Sequence, residues 1–511
     1  MDIKKTCCYL LVAVMVLSAF MLGGCAQAVV DSGKEVTIAL TGGPNSFDPA
    51  TTVDGYALGV EINLYNTLVY SKGGNSSEIS PELATEWNVS EDNLVYTFKL
   101  RDDVKFHNGQ KLTSADVKYT FERVMVEPYT AYYAEMIDKV EAPDDLTVVV
   151  TLKYPFGDFL TQLGGIYYGI VSQQVLQQGR DLFMYEPVGT GPYKLSGTYV
   201  PDQSFSFVVN EDYWGEKPEI TKINYKTLPD SSTAVVALQN KEVDFVSTLS
   251  PNDYGVVGSD PNLKVYQDAS FTIVYLTFYK LDGPFSEVGV RDAIAKAVNK
   301  DEIVSAANNG AGTVANSPLN KSMMGYDESI PANEFNIEAA KAALAGTSYK
   351  DGFETTIMVR SDRPYAVKTA QVVQAQLAEI GIVANIEQLE KATFNERLMK
   401  ADFEMAIATL NWPDSNNMLT YLYDSQGAFN YDKEYSNPEV DALLQEAKTS
   451  TDAAKRSELY SKVVNITYAD RPIIPLFFPN EIVGANANIQ GIEIVDNMFY
   501  PVSTWTLSDA K

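Results

Sequence analysis

Only one stretch of this chain has the apolar continuity of a membrane segment: Tyr9 to Leu22, behind Lys4 and Lys5, too short to cross a bilayer comfortably. It reads as a secretory signal. Everything after it must bury its apolar residues in water-bounded cores, and 511 residues exceed what one core serves, so two or more domains are expected. All three cysteines, Cys7, Cys8 and Cys25, lie in the first 25 residues, which removes cysteine catalysis, disulfide scaffolds and Cys-ligated zinc from the rest. With 67 acidic against 39 basic residues the net charge is −28, and a phosphate backbone would repel such a chain. Nucleic acid is therefore excluded as a partner.

The apolar run ends in Leu22-Gly23-Gly24-Cys25, which resembles a bacterial lipobox, where the cysteine carries diacylglycerol and becomes the first mature residue. Residues 1–24 are then a lipoprotein signal peptide, Cys25 the lipidation site, and 25–35 a tether to the membrane. The alternative is plain cleavage at Ala26-Gln27-Ala28.

Beyond the tether, Glu35-Val-Thr-Ile-Ala-Leu40 alternates as a strand, so the folded part begins near Val36. Leu94, Tyr96, Phe98 and Leu100 share one face of a second strand, and Leu146–Leu152 reads as a third. Thr113 and Asp116 form a capping box ahead of Val117, Phe121 and Val124 at helical spacing. Ala366, Ala370, Val373, Leu377 and Ile380 make a helical stripe closed by Gly381, with a strand at Ile382–Ile386 directly after. Strands and helices alternate from 265 to 480, an α/β pattern, whereas 90–152 is richer in strands.

Several short strings in fixed order resemble the family 5 extracellular solute-binding proteins of ABC importers, the dipeptide, oligopeptide and nickel-chelate binders. They are Leu64-Tyr-Asn-Thr-Leu-Val69, Pro81-Glu-Leu-Ala-Thr-Glu-Trp87, Tyr96–Arg101 running into Val104-Lys-Phe-His-Asn-Gly109, Leu112–Val117, Gly189-Thr-Gly-Pro-Tyr193, and Val290-Arg-Asp-Ala-Ile294 with Asn299-Lys-Asp301. The resemblance implies a two-lobed periplasmic-binding-protein-like α/β fold (type II, cluster C) with an extra inserted subdomain. Lobe 1 would comprise 36–71, 187–268 and 481–511, the insert 72–186, and lobe 2 residues 269–480. The crossings between lobes are expected near Ala269–Val274 and Pro475–Phe478. It further implies a monomeric receptor, held at the membrane by its lipid, that serves an ABC permease and ATPase complex.

An enzyme reading finds little to stand on. The only histidine, His107, sits in a turn-like string, and no nucleophile-elbow, zinc-protease or phosphate-loop motif occurs. Gly189-Thr-Gly191 reads as a turn, and Asp144-Asp145 as a solvated acidic pair rather than a glycosidase dyad. No catalytic residue, metal ligand or cofactor is expected.

By the same resemblance, Trp412 and Asp414 would meet a short peptide and its α-ammonium, and Arg363 with Tyr365 its carboxylate, Arg360 being the rival arginine. Charge matching suits an enclosed zwitterion, since an unpaired buried charge is costly and a planar guanidinium receives a carboxylate bidentately. A nickel chelate or an oligosaccharide remains the alternative ligand, and a secreted hydrolase a remote one.

Overall fold

The computed structural model describes residues 34–52, 54–71, 79–179, 184–201, 203–279, 282–427, 430, 435–494 and 500–508. The signal sequence and Cys25 lie outside the described residues.

A hydrogen-bonded ladder of twelve strands runs through two halves of the molecule. In the first, Lys34–Leu40 lies parallel to Ile220–Thr227 and to Phe245–Val246, and Phe205–Val209 and Tyr193–Ser196 extend it antiparallel. In the second, Phe353–Arg360 lies parallel to Ile382–Leu389 and to Met405–Asn411, which pairs antiparallel with Thr272–Phe278. The 14-residue strand Ile473–Asn486 belongs to both. Its early residues pair with Thr272–Phe278 and its later ones with Leu263–Ala269. Where the ladder changes over, Ala269 faces Asn480 and Val274 faces Phe477, with a register irregularity between Val274 and Tyr275.

Local chemistry accounts for these elements. The stripe over Ala366, Ala370, Val373 and Leu377 is buried on the helix Pro364–Ala378, which starts on Pro364 and is followed by Gly381 at φ +86°, a conformation in which a side chain would be strained. Alternation along Met405–Asn411 sends Met405 and Ile407 into one core and Ala406, Ala408 and Leu410 into the other, so the second half has a core on each face of its sheet.

Between the first and second strands of the first half in sequence lies a four-stranded antiparallel sheet, ordered Ala84–Val89, Val95–Leu100, Thr147–Leu152, Ile137–Asp144. The helix Ser114–Val124 begins with the capping box of Thr113 and Asp116 and buries Val117, Phe121 and Val124 in the same core as Tyr96, Phe98 and Leu100. Where the chain returns from the insert to the first half, two backbone segments of that half approach closely. Gly191 N–H donates to Leu64 O at 2.9 Å, and a Cβ at Gly191 would lie 2.4 Å from the Leu64 carbonyl carbon. His107 completes this joint. Its Nδ1 accepts from Gly189 N–H, so its Nε2 carries the proton donated to Gly191 O, each at 3.2 Å. Burial drives its pKa down to about 4. The sole imidazole is thus spent on structure.

Candidate ligand-binding site

At the carboxyl end of the interior strand Met405–Asn411, Trp412-Pro413-Asp414 carries the chain into the helix Ser415–Tyr423. Asp414 is the N-cap, accepting from Asn417 N–H at 2.7 Å and from Asn417 Nδ2 at 2.9 Å. Burial is the main force on its carboxyl, raising the pKa to about 6. The negative charge of Asp158 adds to the rise, and the Asn417 hydrogen bonds oppose it. A carboxylate held this way gains from a cation placed against it.

Trp412 stacks on Tyr421 with ring centroids 5.2 Å apart and planes 3° from parallel. From across the molecule the insert's turn Ala131–Ala134 brings Tyr132 within 5.5 Å and Tyr133 within 6.3 Å of the Trp412 ring. Tyr133 in turn stacks on Tyr167 at 4.1 Å. Five aromatic rings therefore bridge insert and second half, beside Asp414. Polar atoms of this region that are buried without a protein partner include Trp412 Nε1, Asn416 Oδ1 and Tyr460 Oη. Tyr460 is close enough to Asp414 for the carboxylate charge to act on its hydroxyl. Unpaired buried polar groups are costly, and so many near one carboxylate mark a place suited to a polar ligand.

Arg363 lies at the carboxyl end of the neighbouring parallel strand, Phe353–Arg360, as N-cap of Pro364–Ala378. Its Nη1 donates to Tyr365 Oη at 3.1 Å and to Thr409 Oγ1. Arg360 holds Asp362 through Nε at 2.9 Å and through Nη2. Of the two arginines, Arg363 is thus the one without a carboxylate in ion-pair reach among the described residues. Both predicted pairs stand beyond the carboxyl ends of adjacent parallel strands, where open α/β sheets bind ligands. They do not touch each other. Thr409, which anchors Arg363, shares the sheet face of Met405 and Ile407, whereas Trp412 packs against the core on the other face.

Sequence reasoning missed Tyr132, Tyr133, Tyr167, Tyr421 and Asp158. The Tyr132-Tyr133 doublet was visible, but nothing local says that the insert folds back onto the second half. The acidic pair Asp144-Asp145 sits at a hairpin end, where Asp144 Oδ1 accepts from Leu146 N–H.

Two lobes joined through shared strands, with a buried carboxylate and aromatic rings where insert and second half meet, are the architecture of a solute-binding protein. The sequence profile of bacterial extracellular solute-binding proteins, family 5, matches residues 78–430. Heme-binding protein A of Haemophilus influenzae is 30% identical over 469 residues, covering 85% of each chain. The structure of HbpA2 from Haemophilus parasuis is 29% identical, with a TM-score of 0.86 over 93% of this chain and 100% of that one. DppA from Helicobacter pylori, an ABC transporter-associated periplasmic binding protein solved in complex with the peptide STSA, is 30% identical, with a TM-score of 0.75 over 93% and 98%. The chain belongs to the family 5 extracellular solute-binding proteins. Its relatives are binding proteins, not enzymes.

Proposed function

We propose that this protein is the receptor of an ABC importer that captures a short peptide between its lobes and delivers it to a membrane permease. The observation that carries this reading is Asp414, a carboxylate buried beside Trp412 and the interdomain tyrosines, with its charge unmatched by any cation in ion-pair reach among the described residues. An α-ammonium would supply that charge, and the aromatic walls would accept varied side chains. Arg363 with Tyr365 would receive the carboxylate from the next strand end. The peptide complex of DppA supports the choice of ligand. A metal chelate or haem is less favoured, because both nitrogens of His107 are engaged away from Asp414.

The lobes are proposed as 36–71 with 187–268 and 481–511, and 269–480, with 72–186 as the insert. The change-over of pairing at Ala269–Val274 and Phe477–Asn480 supports a hinge there. Ligand binding would favour the closed state by its greater affinity for it. Small-angle scattering of the unliganded chain should show compaction on adding trialanine and none on adding N-acetyl-trialanine at the same concentration. Equal response to both peptides would remove Asp414 from the ammonium role.

The receptor acts as a monomer held at the membrane through Cys25. Cys25→Ala should convert a detergent-partitioning protein into an unprocessed or freely secreted one, read by phase partitioning of cell extracts. Unchanged partitioning would assign the anchoring elsewhere.

A further inference from the structure

Besides the tyrosines, the insert meets the second lobe through the turn Phe156-Gly157-Asp158. Gly157 N–H donates to Lys448 O at 2.9 Å, and a Cβ at Gly157 would lie 2.0 Å from Ser450 O, so this close approach requires glycine. Next to it, Asp158 and Arg456 form an ion pair at 3.0 Å, with side chains 12% and 2% exposed. Arg456 Nη1 also donates to Ser450 O at 3.1 Å, while its Nε is buried without a partner. On the rim, Lys448 Nζ lies 3.4 Å from Glu135 and 5.1 Å from the Tyr154 ring centroid.

Covalently, the insert is reached only through the first lobe, and the second lobe only through the strand crossings. An opening about those crossings that parts the insert from the second lobe would pull Asp158 away from Arg456. Charge is the second part of the argument. Asp158 acts on Asp414 and is paired with Arg456, and the charges of all three reach the Tyr460 hydroxyl; with Asp414 ionised they sum to one negative charge in the absence of ligand. A single ligand ammonium brings that sum to zero. In a poorly solvated interface such a balance is worth more than any one contact.

Resting on the assignment of the ligand ammonium to Asp414, we propose that Asp158 and Arg456 are positioning residues forming a charge-matched latch, which makes closure depend on one positive charge in the ligand. Neither needs to touch the peptide. Asp158 supplies the negative charge that keeps the site short of a cation, and Arg456 limits that shortage to one unit.

The test is calorimetric titration of the full-length lipoprotein in detergent with trialanine and with N-acetyl-trialanine, comparing the ratio of the two affinities. Asp158→Asn leaves Arg456 and Asp414 balanced without ligand, so the preference for the free amine should shrink by about tenfold. Arg456→Met leaves two negative charges, and the preference should widen. The double variant restores one net negative charge and should return the ratio towards that of the wild type. A merely structural latch would weaken both peptides together and leave the ratio unchanged in every variant, which would overturn the proposal. If a single variant fails to fold, Arg456→Lys serves instead: retained charge should retain the ratio, and a changed ratio would count against the latch. A wild type that binds both peptides equally would instead defeat the Asp414 assignment itself.

Discussion

Asp414→Ala is expected to weaken binding of a free-amine tripeptide by about 2–5 kcal/mol, because truncation strands a desolvated ammonium in the closed site. That is a loss of roughly thirty- to several-thousand-fold in affinity. Binding of the N-acetylated peptide, which brings no ammonium, should change far less. Acidity should mimic the mutation. Without ligand, burial disfavours the charge of Asp414 and raises its pKa to about 6, well above the usual carboxylate range. A bound ammonium stabilises the charged form, so below pH 6 a ligand must first expel a proton. Affinity should be flat above that pH and fall by up to about tenfold per unit below it. Asp414→Asn should flatten the profile, and a profile that survives in that variant would assign the titration to another group.

Phe121→Ala should be a severely destabilising core truncation in the insert. Its ring is fully buried on the helix Ser114–Val124 and meets Tyr168 edge-on at 4.9 Å. Loss of a buried phenylalanine costs about 3–5 kcal/mol through lost transfer energy and the cavity left behind. The consequence reaches function, because the insert carries Tyr132, Tyr133 and Asp158 to the second lobe. Chemical denaturation should show the insert melting early, with peptide affinity lost in the same range of denaturant. Retained affinity after the insert has melted would mean that its tyrosines form no wall of the site.

How far the sequence could be read follows from the range of the forces involved. The capping box at Thr113, the stripe on Pro364–Ala378 and the glycine at 381 are local devices, and local spacing revealed them. Trp412 and Asp414 were reached by resemblance, and the structure adds that Asp414 caps Ser415–Tyr423 while burial shifts its pKa. The meeting of Tyr132 with Trp412, and of Asp158 with Arg456, joins residues about 280–300 positions apart. No periodicity encodes such contacts. That Thr409, which holds Arg363, and the core against which Trp412 packs lie on opposite faces of the strand Met405–Asn411 also depends on its register, which a one-residue slip would invert.

The most direct measurement is native mass spectrometry of the protein purified from its own cells without added ligand, followed by exchange with trialanine and N-acetyl-trialanine. The account predicts a retained adduct of short-peptide mass, lost on denaturation, displaced by trialanine and left in place by the acetylated form. A retained haem, sugar or metal chelate that trialanine cannot displace would contradict it.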